Sequence, residues 1–104
     1  MRFDAGTRTR ILADMTLDFD PSSPLSTVEV KVGAVWYAAT WQGAPVAASG
    51  KWTQTARTTG YFAGPEAAVV AGTVLLTATR HLTQTRVTAG TDVIVADSSP
   101  VDVV

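Results

Sequence analysis

Few side chains in this chain have the types and spacing that chemistry requires. Asp18, Asp20, Ser22, Ser26 and Glu29 place oxygens with the rhythm of an EF-hand calcium loop. The position that needs a glycine for the sharp turn holds Ser23, Pro21 and Pro24 stiffen the segment, and both flanks alternate like strands rather than helices. The segment is therefore expected to be a connecting loop. His81 is the one histidine and there is no cysteine, which excludes a histidine metal cluster, a thiolate nucleophile and every cysteine-ligated zinc site. A catalytic role for His81 would need a nucleophile and a carboxylate brought from a distance, and no motif marks them. Asp14, Asp18 and Asp20 supply carboxylates, but glycosidase chemistry needs two of them facing each other across a cleft. Neither GxGxxG nor a P-loop occurs. The expectation is a chain without catalysis, metal or cofactor.

Aromatic residues are the remaining candidates. Trp36, Trp41, Trp52, Tyr37, Tyr61 and Phe62 could stack on sugar rings as a carbohydrate-binding module does, or fill a core. Their placement depends on the strands that carry them. Thr27 to Trp41 contains the clearest signal: Val28, Val30 and Val32 alternate with Glu29 and Lys31, and VWYAATW follows Gly33-Ala34. A two-residue turn with Gly33 first pairs Val32 with Val35 and Val30 with Tyr37. That register puts Tyr37, Ala39 and Trp41 on the core face with the valines, and Trp36 on the polar face opposite Lys31. Trp36 is then either covered by Lys31 or another segment, or left for a partner.

Other elements follow from the same alternation. Ile11, Ala13, Met15, Leu17 and Phe19 line one face of a strand, and Trp52, Gln54 and Ala56 line a face of another. Thr73 to Thr79, Thr83 to Thr88 and Thr91 to Ala96 are three further β runs, the last two joined around Ala89-Gly90. Glu66 to Ala71 reads as strand or turn. The 104 residues include 16 Thr and 14 Val, β-branched residues that favour pleated structure. At this length one domain is expected, an all-β sandwich or an SH3-like, partly open barrel spanning residues 11–97. Residues 1–10 are expected to form an extended arm, and residues 98–104 a tail released after Ser98-Ser99-Pro100.

The two ends differ in charge. Arg2, Arg8 and Arg10 face a single acid, Asp4, in the arm, whereas Asp92, Asp97 and Asp102 have no base near them in sequence. Arm and tail, the latter with Val103, could add to a neighbouring subunit's sheet edge and build a homo-oligomer. Arg2, Arg8, Arg10, Trp36, Asp97, Asp102 and Val103 are thus the expected partner contacts. A formal net charge of -1 argues against nucleic acid, and no window is apolar enough for a membrane span or a signal peptide.

VEVKVGAVWYAATWQGAPV, WTQTARTTGYFAGP and TQTRVTAGTDVIVADSSPVDVV together resemble small structural proteins of tailed phages of actinobacterial hosts, the head-to-tail connector and capsid-associated proteins. The resemblance spans most of residues 27–104 and carries no functional residue across. It implies a non-catalytic virion protein, made in the bacterial cytoplasm, whose partners are portal, connector, tail or major capsid proteins. A stopper-like connector subunit is the first expectation, and a capsid decoration or minor capsid protein the second.

Overall fold

In the computed structural model, residues 1–21, 26–68 and 70–104 are described. Ten strands run in chain order: β1 (Arg2–Phe3), β2 (Arg8–Thr9), β3 (Leu12–Leu17), β4 (Ser26–Val32), β5 (Val35–Ala48), β6 (Lys51–Thr58), β7 (Phe62–Ala63), β8 (Val74–Leu75), β9 (Arg80–Ala89) and β10 (Asp92–Val103). Seven form one sheet in the order β1-β10-β9-β4-β5-β6-β3, and three short ones form a second sheet, β2-β7-β8. The large sheet curls into a half-barrel, so the architecture is all-β and partly open. No helix in the described residues is long and apolar enough to cross a membrane.

Alternation sets the inner face. Ala13, Met15 and Leu17 of β3, Val28, Val30 and Val32 of β4, Ala56 of β6, Val87 of β9 and Val101 and Val103 of β10 are buried together with Ile11. Tyr37, Ala39 and Trp41 pack on that cluster from β5. The β4–β5 hairpin has the expected register, Val32 opposite Val35 and Val30 opposite Tyr37. Gly33 takes φ 65° while Ala34 stays out of the left-handed region, as a turn with glycine at its first central position requires. The smaller sheet packs against the core through Phe62, whose ring meets Tyr37 edge-on at 4.9 Å.

The chain termini depart from the expected arm and tail. Phe3 is fully buried, and β1 pairs in parallel with β10, Arg2 opposite Asp102 and Phe3 opposite Val103. Residues 98–104 are not released: β10 runs on to Val103 through a bulge between Ser98 and Val101. Hydroxyl groups on the inner face hold that bulge, Thr83 Oγ1 donating to the Ser99 carbonyl at 2.8 Å and Thr85 sharing a 2.6 Å hydrogen bond with the Ser98 hydroxyl. Proline lacks an N–H, and a bulge is where a strand tolerates that loss. Gly64 lies against this end: a Cβ there would meet the Asp4 carbonyl at 3.4 Å, Val103 Cγ1 at 3.6 Å and Phe3 Cβ at 3.8 Å, all van der Waals contacts. The run from Thr73 yields only β8, within the small sheet. Glu66 to Ala71 contains no strand in its described residues, and its valine at position 69 lies outside them.

Candidate functional site

Curling brings the two sides of the large sheet near each other without joining them. β3 pairs only with β6, and β10 pairs with β9 along its length but with β1 only at Asp102 and Val103. Residues 12–17 and 92–99 therefore each present one unpaired strand edge, among the described residues. Between them lies a cleft of about 660 Å³, lined by Leu12 and Asp14 on one flank and by Met1, Asp97, Ser98 and Ser99 on the other, Met1 being tied to β10 through backbone hydrogen bonds with Pro100 and Asp102. Its walls are mixed: Asp14 accepts a hydrogen bond from the Thr55 hydroxyl, and Gln84 Nε2 donates to Asp97 Oδ1 at 3.0 Å. The outer face of β10 beside it carries Val93 and Val95, 58% and 49% exposed, and Leu12 on β3 is 46% exposed. Unpaired backbone edges flanked by exposed apolar side chains are surfaces to which a strand can add.

The expected contact residues fall into four settings. Arg2, Asp102 and Val103 are engaged within the chain. Arg2 Nε donates to Asp4 at 2.8 Å, Val103 is in the core, and Asp102 takes two hydrogen bonds from Arg80, at 2.7 and 3.2 Å. The Arg80 hydrogen bond holds the Asp102 carboxyl below the usual carboxylate range, and the same pair raises the Arg80 guanidinium above its ordinary value. Trp36 is half-buried on the outer face, with the Arg86 guanidinium 4.2 Å from the ring centre and Lys31 Nζ at 5.7 Å. Glu29 fixes Arg86 there through two hydrogen bonds, at 2.9 and 3.2 Å. Covering by Lys31 is thus joined by covering from β9, a strand distant in sequence. Asp97 is exposed at the cleft.

Arg8 and Arg10 belong to a fourth group that sequence reasoning did not assemble. Their guanidinium carbons lie 4.1 and 4.5 Å from the Tyr61 ring centre. Arg10, Tyr61 and Arg57 line one depression of about 260 Å³. Arg57 comes from β6, and nothing local in the sequence links it to residues 8–10. Tyr61 stood among the aromatics that could stack on a ligand or fill a core, but nothing in the sequence marked it as the platform for these arginines.

Two of the candidate carboxylates are ion-paired. Asp18 bridges to Lys51 and Glu29 to Arg86. The middle of the calcium-like segment, residues 22–25, lies outside the described residues. No group of three or more His, Asp or Glu side chains gathers among the described residues. His81 is half-buried and its Nε2 donates to the Thr77 carbonyl at 2.9 Å. Compared with known proteins, the chain matches no family model, no curated protein and no solved structure.

Proposed function

We propose that this chain is a non-catalytic structural subunit of a tailed-phage virion, working by protein–protein assembly, with a stopper-like head-to-tail connector as the specific role. The observation that supports an assembly role is the open seam: two unpaired strand edges, β3 and the first half of β10, flank one cleft in a chain short enough that added pairing is a large part of its stability. Closing such a seam with a strand from a neighbour gives a head-to-tail contact, and a head-to-tail contact that closes by rotation makes a ring. The phage assignment itself rests on the resemblance of residues 27–104.

The test combines light scattering with negative-stain microscopy on the wild type and a Val93→Lys/Val95→Lys variant. Both valines are about half exposed on the outer face, so the variant should keep its β circular dichroism. Lysines beside a sheet edge oppose strand addition. Uniform rings from the wild type and monomers from the variant are the expected result. A wild type that stays monomeric yet saturates phage capsids would favour the decoration role. A chain that joins neither its own copies nor phage particles would overturn the proposal.

A further inference from the structure

Four of the eight lysine and arginine side chains meet a carboxylate of the chain: Arg2 with Asp4, Lys51 with Asp18, Arg80 with Asp102 and Arg86 with Glu29. Of the other four, Lys31 sits by Trp36, and the remaining three, Arg8, Arg10 and Arg57, gather around or beside Tyr61. None of these three has an ion-pair partner among the described residues. Like charges brought together this closely repel unless something opposite in sign sits among them. The Tyr61 ring compensates only the guanidinium faces. It leaves their N–H edges to seek acceptors. Arg8 Nε finds the Thr73 hydroxyl at 3.1 Å, whereas Arg10 Nε is buried with no acceptor. An unsatisfied buried donor is uncommon in a native fold and calls for an explanation.

We infer that the depression lined by Arg10, Arg57 and Tyr61 is a carboxylate-binding site. Two guanidiniums on the rim of one pocket suit an acceptor with two oxygens, because each fork of N–H donors matches a planar carboxylate. At about 260 Å³ the space is below the range of drug-sized ligand pockets, so it fits a single small group rather than a large molecule. Thr9 and Gln42, also on the rim, add uncharged polar groups, and Leu12 gives one apolar wall. The carboxylate has two possible sources. It is either a free small acid or an aspartate of a second copy, for which the exposed Asp92 is the candidate: it begins β10, at the opposite end of that strand from the β1 pairing at Asp102 and Val103. The site stands whether or not the chain is a virion protein.

Nuclear magnetic resonance of the arginine Nε–Hε groups tests the inference on the full chain. Sodium acetate is titrated against sodium chloride at matched ionic strength. The expected result is a saturable shift at Arg10 and Arg57 with acetate and not with chloride, while Arg2 and Arg80, already paired to Asp4 and Asp102, stay still. Arg57 is half-buried on the outer side of β6, so Arg57→Gln should fold normally and weaken acetate binding by about tenfold, the loss expected for a charge-assisted hydrogen bond. A protein dilution series separates the sources. Shifts at Arg10 and Arg57 that follow protein concentration and vanish in Asp92→Asn identify the second copy, and shifts that ignore concentration identify a free acid. Equal responses to acetate and chloride, or acetate binding unchanged in a folded Arg57→Gln, would overturn the inference.

Discussion

Phe3 carries more of the fold than any other residue of the first ten. Its stretch, MRFDAGTRTR, holds only Met1 and Ala5 as other apolar residues, and so short an alternation is too brief to mark a buried strand. Its pocket is made by residues that are remote in sequence: Val101 and Val103 belong to the same buried cluster, and Gly64 packs beside it. Truncating Phe3 to Ala should cost about 3–5 kcal/mol, the usual range for a buried aromatic, seen as a lower urea midpoint with unchanged slope. Asp102 makes a pH-dependent contribution next to it. Its carboxyl is lowered by the Arg80 hydrogen bond from an ordinary value of 3.8, so the folded state holds the proton less tightly than the unfolded chain. That stabilisation is complete above the ordinary value and is lost as pH falls through the lower folded value. Asp102→Asn should therefore show a flatter acid limb below about pH 4 in urea melts run from pH 2 to 7; an acid limb identical to wild type would contradict the assignment.

Among the elements, the turn and register of the central hairpin were legible, although β5 runs on past Trp41 to Ala48, and the terminal strands were not. Gly33 fixes the turn, the turn fixes the register, and the register sorts Val28, Val30 and Val32 from Glu29 and Lys31 without reference to anything distant. The inward faces of β3 and β6 were legible for the same reason, down to the buried Gln54. β1 is two residues long and exists only because β10 offers an edge to it. Likewise, Ser98-Ser99-Pro100 has the composition of a chain release but is a bulge, held by Thr83 and Thr85 from the neighbouring strand. Pairing partners far apart in sequence decide both cases. One consequence is practical: deleting residues 98–104 removes Val101 and Val103 from the core, so the truncated chain should lose its cooperative thermal transition. A truncation that melts like the wild type would show that the β1–β10 pairing contributes little.

At the scale of the molecule, the half-barrel has a capped side and an open one. The β2-β7-β8 sheet packs on the core through Phe62, and the seam between β3 and β10 is left without a strand. The molecule is elongated, 43 × 25 × 23 Å, because β5 and β10 are 14 and 12 residues long. The candidate site was only partly visible beforehand. Charge asymmetry between the termini pointed to docking, yet arm and tail dock on each other within one chain, and the free edges belong to β3 and the first half of β10. The Arg8, Arg10 and Arg57 cluster needed the fold to bring β2 and β6 to one loop aromatic.

Amide hydrogen exchange, compared between dilute and concentrated protein, tests the seam as the assembly surface most directly. Edge N–H groups without partners exchange freely, and a strand added from a neighbour would protect them. The account predicts that protection rises with concentration at residues 12–17 and 92–99 while the core strands β4 and β9 stay unchanged. Exchange at both edges that is the same at every concentration, or protection that appears only on another face, would contradict it.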